Sequence, residues 1–392
     1  MAHRAYLDWN ATAPQRPEAR AAMLAACDLV GNPSSIHREG RAARQAIEVA
    51  RRSVAELVGA DPRNVVFTSG GTEANALALT PAIEVGADRA PRDRLLMSAI
   101  EHPSVRSGGQ FAPDRIEDLP VRDDGRVELD ALERRLATLA GQGARPLVSL
   151  MLANNETGVI QPVAAAAELV HRAGGLLHVD AIQGAGKIPF NINDLGADLV
   201  TLSAHKLGGP KGVGALVKRD EALHLAQPLI RGGGQERGAR AGTENLPGIA
   251  GFGAAAEAAR SAATEEAARV AALRDRIEAG VLAVSPSAVI FGREAQRLPN
   301  TTLFAMPGIK AETALIALDL DGVAVSSGSA CSSGKVAASH VLKAMGIAPE
   351  LARGAIRVSV GFSTSDEEVD CFLNAWKKLV QTLLKGTHGI AA

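Results

Sequence analysis

The sequence predicts an α/β protein: a large domain built on a mainly parallel sheet covered by helices, and a smaller C-terminal domain. The chain has 392 residues, which is more than one hydrophobic core normally serves. Apolar residues make up 46% of it, enough for a large core. Through roughly the first 250 residues, short apolar runs alternate with helical patterns, and this alternation is typical of parallel sheets.

The first helix pattern begins near Ser35, where apolar side chains recur at Ala43, Ile47, Ala50 and Val54. Short apolar runs bounded by turn residues predict the strands, and apolar residues three or four apart predict the helices. The elements predicted after this first helix are strands at 65–68, 95–97, 146–153, 176–179 and 198–202, and helices opening at 72 and covering 129–139 and 163–173.

Around Gly253 the pattern changes, and a long alanine-rich helix is predicted over 254–282 as a connector. Beyond it, strands are expected near 289, at 301–304 and at 356–360, with a closing helix over 366–384. We therefore predict a large domain at 16–255 and a smaller α+β domain formed by 1–15 and 256–392. In parallel sheets the ligand binds beyond the carboxyl ends of the strands, so polar residues there are the site candidates.

Composition excludes several function classes. The formal net charge is −1, so no basic surface suggests a nucleic acid or a membrane as partner. The N-terminus lacks a signal-peptide pattern, and no apolar stretch reaches the length of a membrane span. Three cysteines without a CxxC pair suit a reducing compartment, and no His, Cys or carboxylate cluster has metal-ligand spacing. We expect a cytoplasmic protein without a structural metal.

The strongest candidate segment follows the strand at 198–202, where Ser203, His205 and Lys206 precede a glycine-rich turn. A lysine held at a strand end can form a Schiff base if burial or a cationic neighbour lowers its pKa. Ser203 and His205 can donate hydrogen bonds to a phosphate, and the small residues leave room for a flat cofactor. A lone lysine would instead be an ordinary surface charge, but this setting favours function.

Two other strand ends carry candidate residues. Gly71 and Thr72 follow a strand and open a helix, where free backbone N–H groups and the helix dipole suit a phosphate. Thr72 alone could be an ordinary helix cap. Asp180 ends another strand, and a carboxylate there can keep a pyridine nitrogen protonated. The alternative for Asp180 is a structural ion pair.

Cys331 lies among serines and glycines, a composition that predicts an exposed loop and a nucleophilic thiolate. Free cysteines are more often small buried apolar residues. We expect that ordinary role for Cys27, in an alanine-rich run, and for Cys371, in the last helix.

These segments follow one another in the order found in a known family. The chain resembles the class V, fold-type I pyridoxal-phosphate enzymes, and among them the cysteine desulfurases of the NifS/IscS kind. The serine- and glycine-rich block around Cys331 is specific to the desulfurases. The segments that carry the resemblance are 6–14 (YLDWNATAP), 31–37 (GNPSSIH), 68–73 (TSGGTE), 154–156 (NNE), 178–183 (HVDAIQ), 198–216, 240–245 (RAGTEN) and 326–334 (SSGSACSSG).

The resemblance implies a fold-type I transferase with a sheet of the seven-stranded kind, and pyridoxal 5'-phosphate held by Lys206. It further implies that Gln183 contacts the ring hydroxyl and that His102 stacks on the ring as a candidate proton carrier. Asn155, also near the cofactor, and Arg357 match the pair that grips the substrate carboxylate; a strand-end ion pair is the alternative for Arg357. Thr243 matches a threonine that reaches the phosphate of a second subunit, which implies a homodimer.

The reaction implied is conversion of L-cysteine to L-alanine, with the sulfur held as a persulfide on Cys331 and then passed to an acceptor such as an iron–sulfur scaffold protein. The tail over 384–392 looks shorter than the scaffold-docking tail of IscS-like relatives, so the acceptor stays open. The alternatives are a selenocysteine lyase or related class V aminotransferase, and a non-catalytic sulfur-carrier subunit. The intact Lys206 argues against the last of these.

Overall fold

The computed structural model describes residues 4–328 and 339–388, with side chains through residue 382. Its strands are β1 (Ala5–Tyr6), β2 (Val65–Thr68), β3 (Ile83–Val85), β4 (Arg94–Ser98), β5 (Ile116–Leu119), β6 (Pro146–Met151), β7 (Leu176–Asp180), β8 (Leu199–Ser203), β9 (Gly214–Lys218), β10 (Leu223–Leu225), β11 (Val289–Ile290), β12 (Thr301–Ala305), β13 (Val323–Ala324), β14 (Ser326–Ser327) and β15 (Ile356–Ser359).

The helices alternate with the strands through the first half of the chain and then lengthen. They are α1 (Pro17–Cys27), α2 (Arg38–Val58), α3 (Gly71–Ala78), α4 (Pro103–Arg106), α5 (Leu129–Gly141), α6 (Val163–Arg172), α7 (Leu246–Val284), α8 (Ala311–Leu320), α9 (His340–Ala344), α10 (Pro349–Ala352) and α11 (Asp366–His388).

The large sheet has seven strands in the order β2-β9-β8-β7-β6-β4-β5. Strands β4 to β8 run parallel, while β9 is antiparallel to both of its neighbours. Every residue of β6, β7 and β8 is buried because helices cover both faces of the sheet, which is why these strands read as continuous apolar runs. The carboxyl ends of these three central strands meet at one edge, as the sequence predicted.

A second core lies towards the C-terminus, around the antiparallel sheet β11-β12-β15-β14. Phe304 on β12 packs edge-to-face against Trp376 and Phe372 of α11, with ring centroids 5.1 Å and 6.4 Å apart. The sheet places Arg357 on β15 next to Ser326 and Leu303 on its neighbours. This second core therefore presents Arg357 towards the large domain.

Helix α7 begins at Leu246, eight residues before the predicted start, and runs through residue 255 without a break. The side chain of Asn245 caps it by accepting from the backbone N–H of Gly248. Glycines weaken the helical pattern there, but close packing requires them: a Cβ on Gly253 would lie 2.4 Å from Ala50 Cα of α2. Tertiary contact thus overrides helix propensity. The domain boundary at 255 stays a prediction.

The two described cysteines differ from expectation. Cys27, at the end of α1, is exposed, and Cys371, in α11, is only half-buried. The expectation that both are buried apolar residues was therefore wrong for Cys27. The reason is that α1 turns its small residues Ala19 and Ala26 towards the core and leaves Cys27 outside, as it does Leu24. Cys331 lies outside the described residues.

In the described ranges, no helix combines the length and the apolar composition that crossing a bilayer requires. Over the same ranges, no three His, Cys, Asp or Glu side chains are grouped as ligands for a metal ion. The cytoplasmic location and the absence of a structural metal stay predictions.

Candidate active site

A cavity of about 320 Å³ lies at the carboxyl ends of β6, β7 and β8. It brings together residues that are far apart in the sequence, from both the large sheet and β15. Those among the predicted site residues that line it are Gly71, Thr72, His102, Asn155, Asp180, Gln183, Ser203, His205, Lys206 and Arg357.

Lys206 ends the short 3-10 turn Ala204–Lys206 that follows β8, so the strand fixes its position in the cavity wall. Its Nζ donates to the backbone carbonyls of Asn10 and Ala11, at 2.6 Å and 2.7 Å. The N-terminal segment therefore forms part of the site. The motif at 6–14 contributes to the family resemblance, but it indicates no role for Asn10.

Asp180 ends β7 and is buried. Its Oδ1 accepts from the backbone N–H of Ile182 at 3.0 Å, and its Oδ2 accepts from Asn75 Nδ2 at 2.9 Å. Burial raises the pKa of Asp180, although His102, these hydrogen bonds and Lys206 act in the opposite direction. A cationic ring nitrogen placed beside this carboxyl would offset the cost of burying its charge.

The phosphate candidates all line this cavity. Gly71 begins α3 after β2, and Ser203 and His205 flank the end of β8. A Cβ on Gly71 would lie 2.4 Å from Ile182 Cδ1 and 3.2 Å from Ser203 Cβ, so a larger residue here would require the Ile182 side chain to move. Burial, followed by Lys206, Lys211 and Lys187, lowers the pKa of His205 to about 4. His205 is therefore a neutral donor at physiological pH.

Gln183 is oriented by a residue that the sequence analysis missed. Lys187 Nζ donates to Gln183 Oε1 at 2.6 Å and to Asn10 Oδ1 at 2.7 Å, while Gln183 Nε2 donates to the carbonyl of Asn10 at 3.0 Å. These contacts fix the orientation of the Gln183 amide, with Oε1 towards Lys187 and Nε2 towards the carbonyl of Asn10. Burial, with Lys206 and Arg357 adding, lowers the pKa of Lys187 well below its ordinary value. In the sequence, the only signal for Lys187 was that it follows Gln183 by four residues.

Arg357 enters the cavity from β15. Its Nη2 donates to Asp8 Oδ1 at 2.7 Å and its Nη1 to the carbonyl of Asn155 at 2.9 Å. Its Nε has no hydrogen-bond partner in the described part of the chain and is buried. The strand-end ion pair considered as an alternative is thus present, with Asp8, and the guanidinium also lines the cavity.

Thr243 lies away from this cavity, in a second one of about 160 Å³ that it shares with Ser69 and Arg240. Cys331 lies outside the described residues, but the residues on either side of that gap are placed. Gly328 lines the main cavity, and Ser339 Oγ donates to the buried Glu156 Oε2 at 2.5 Å. The last described residue before the gap, Gly328, thus lies in the cavity wall.

Comparisons with known proteins agree with this geometry. Residues 5–372 match the family described as Aminotransferase class-V. A cysteine desulfurase of Cereibacter sphaeroides is 44% identical over 97% of this chain and 96% of that protein. A cysteine desulfurase IscS of Dictyoglomus turgidum is 39% identical over 98% and 96%. The X-ray structure of a NifS-like protein from Rickettsia africae ESF-5 has a TM-score of 0.86 at 35% identity, covering 97% of this chain and 100% of that chain.

Proposed function

The chain belongs to the aminotransferase class-V family, and we propose that the cavity around Lys206, together with Cys331, performs its chemistry. The activity is that of a pyridoxal-phosphate-dependent cysteine desulfurase, which takes L-cysteine as substrate and passes its sulfur to an acceptor. The family, the cofactor and the reaction predicted from the motifs are thereby confirmed. The roles of individual residues are our proposal.

The observation that carries this proposal is the meeting of Lys206, Asp180 and His102 in one cavity, each from a different element. Lys206 would hold the cofactor covalently, and Asp180 would face its ring nitrogen. The raised pKa of Asp180 fits this role, because a buried carboxyl of this kind favours a cationic partner. Gly71, Thr72, Ser203 and His205 would hold the phosphate, Gln183 the ring hydroxyl, and His102 would lie against the ring.

When bound, pyridoxal phosphate supplies an electron-withdrawing ring that makes the Cα proton of the substrate acidic. The Lys206 amine would take this proton. The carbonyls of Asn10 and Ala11 lie beside the amine and can accept hydrogen bonds from the ammonium group that results. Arg357, with Asn155, would orient the substrate through its carboxylate. Asp8 and Asn155 take one N–H from each Nη nitrogen of Arg357, so each Nη keeps a second N–H that is available for this contact.

Cys331 would act as the sulfur acceptor within the enzyme. Its thiolate would attack the sulfur of the substrate, so that a new S–S bond forms as the C–S bond breaks and the electron pair of that bond stays on the three-carbon fragment. This fragment would take up protons at Cβ and Cα and leave as L-alanine. The position of Gly328 in the cavity wall supports this role, because Cys331 follows it by three residues.

A homodimer is part of the proposal. Thr243 lies outside the cavity of its own chain, which is consistent with a contact to the phosphate of a second copy. The acceptor that takes the sulfur onward would be a protein, such as an iron–sulfur scaffold, and the enzyme would act in the reducing cytoplasm.

The test compares Cys331→Ser and Lys206→Ala with Cys27→Ser, which alters an exposed cysteine of α1. We expect Cys331→Ser to keep the yellow colour of the cofactor and to lose sulfide release from L-cysteine by at least about 100-fold. Lys206→Ala should bind the cofactor without a covalent bond, and Cys27→Ser should behave as the unmodified enzyme. Sulfide release by Cys331→Ser at the normal rate would exclude the persulfide. Release from selenocysteine alone would identify a lyase instead.

A further inference from the structure

We propose that Asn75 and Ser104 are positioning residues that hold His102 with its hydrogen on Nε2, through a hydrogen-bond chain of fixed direction. The chain joins Asp180 to His102 through the interior of the large domain. It rests on the proposed function in one respect, because the direction of the chain requires Asp180 to be ionised beside the ring nitrogen of the cofactor.

The side chain of Asn75, on α3, sets the direction of the hydrogen bonds in this chain. Its Nδ2 lies 2.9 Å from Asp180 Oδ2 and 2.9 Å from Ser104 Oγ, while Thr201 Oγ1 lies 2.5 Å from its Oδ1. Beside a protonated ring nitrogen Asp180 is a carboxylate, which only accepts hydrogen bonds. Both N–H groups of Asn75 are thus committed, one to Asp180 and one to Ser104, and its Oδ1 accepts from the Thr201 hydroxyl.

The buried side chains of His178 and Ser149 can be fully paired with this orientation. His178 Nε2 lies 3.0 Å from Thr201 Oγ1, and His178 Nδ1 lies 2.8 Å from Ser149 Oγ. Burial lowers the pKa of His178 to about 3, so its ring is neutral and carries one N–H. Because the Thr201 hydroxyl donates to Asn75, His178 must donate to Thr201 from Nε2 and accept from Ser149 at Nδ1. With this arrangement each of these buried groups has a partner.

The chain ends at His102, the N-cap residue of α4. Ser104 Oγ accepts from Asn75, so its own hydrogen is available for His102 Nδ1, which lies 2.7 Å away. The backbone N–H of Ser104 points at the same Nδ1 from 3.2 Å. A nitrogen that faces two donors is unprotonated, so the hydrogen of the neutral ring is on Nε2.

This arrangement has a consequence for the reaction. Burial also lowers the pKa of His102, with Lys206 and His340 adding and Asp180 opposing. Protonation of His102 at Nδ1 would break the Ser104 contact and leave the Ser104 hydroxyl hydrogen without its acceptor. His102 is therefore held as a neutral ring whose N–H is at Nε2, and the role of base falls to Lys206.

The test is nitrogen-15 NMR of the histidine rings in the holoenzyme, with His102 assigned by the loss of its signals in His102→Gln. We expect the Nε2–H tautomer in the unmodified enzyme. Ser104→Ala should keep the Nε2–H form, because the backbone N–H of residue 104 still faces Nδ1, but its His102 pKa should rise by about one unit, the value of the lost hydrogen bond. Ser107→Ala, which removes a hydroxyl one turn away on the same segment, should change neither.

Thr201→Val provides a second, isosteric probe that leaves Ser104 unchanged. Without the Thr201 hydroxyl, Asp180 still holds the Asn75 amide in its orientation, because a turned amide would set its oxygen against the carboxylate. Ser104 should therefore still donate to His102, and the Nε2–H tautomer should persist. An Nδ1–H tautomer in the unmodified enzyme or in Thr201→Val, or an unchanged His102 pKa in Ser104→Ala, would overturn the proposal. These readouts need no turnover, so failure of the desulfurase assay would be seen separately.

Discussion

At the residue scale, Arg357 combines two contacts that sequence analysis had treated as alternatives. It pairs with Asp8 and it lines the cavity, and each of its Nη nitrogens keeps a second N–H beyond the contacts to Asp8 and Asn155. The pairing fixes the plane of the guanidinium before any substrate arrives. A planar group held in this way recognises a carboxylate by geometry as well as by charge.

We predict that Arg357→Lys raises the KM for L-cysteine by at least about 10-fold, because an ammonium keeps the charge but loses the planar fork. Steady-state kinetics with cofactor-saturated enzyme measure this. Arg353→Lys, an exposed residue just before β15, is the matched control and should leave KM unchanged. An unchanged KM in Arg357→Lys would remove this residue from the substrate site.

At the element scale, a buried ion pair connects α2 to the segment between β10 and α7. Arg51 donates from Nη1 and Nη2 to the two carboxylate oxygens of Glu236, at 2.7 Å and 2.9 Å. Glu236 also accepts from the backbone N–H of Phe67 on β2. Glu236 and Arg237 adopt left-handed backbone conformations, with φ of 47° and 54°, which non-glycine residues rarely do. The ion pair therefore holds a strained turn in the segment that carries Thr243.

We expect Arg51→Ala to lower the free energy of unfolding by about 3–5 kcal/mol, because it leaves the Glu236 carboxylate buried without its cation. Denaturant unfolding of the holoenzyme measures this change. Arg52→Ala, the exposed neighbour on α2, should stay within about 0.5 kcal/mol of the unmodified enzyme. Equal stability of the two variants would show that the pair is dispensable.

At the scale of the whole molecule, buried titratable groups act on stability in opposite directions. Burial raises the pKa of Glu101 to about 8 and that of Glu156 to about 7, both from 4.5. Between these pKa values the folded protein keeps protons that the unfolded chain has lost. The contribution of these two groups to the free energy of unfolding is therefore full below pH 4.5 and is lost as the pH rises towards 8. Burial lowers the pKa of His178 from 6.5 to about 3. The contribution of His178 to the free energy of unfolding is therefore full above pH 6.5 and is lost as the pH falls towards 3. Stability should therefore be greatest on the mildly acidic side of neutrality.

Glu101→Gln should flatten the alkaline side of this profile, because the amide is neutral at every pH. The loss of stability between about pH 5 and about pH 8 should shrink by roughly 1 kcal/mol per pH unit. Thermal and denaturant unfolding across this range would measure it, with the exposed Glu350→Gln as control. A profile for Glu101→Gln that parallels that of the unmodified enzyme would show that Glu101 is ionised in the folded state.

Much of this molecule could be predicted from the sequence because its signals are local. Continuous apolar runs located the central strands, and the polar residues that follow them, such as Lys206 and Asp180, necessarily lie at one edge of a parallel sheet. The order of motifs identified the family before any contact was known. Strands β3, β5 and β10 were missed, because their three or four residues mix apolar with polar side chains and form no continuous apolar run.

Only the tertiary structure decided which distant residues meet. Nothing in the sequence around Asn10 indicates that its carbonyl accepts from Lys206, and nothing around Asn75 shows that its amide joins Asp180 to Ser104. The early start of α7 likewise depends on a helix packed against Gly253. Periodicity and propensity act over a few residues, whereas these contacts join segments tens to hundreds of residues apart, so their partners are set by packing.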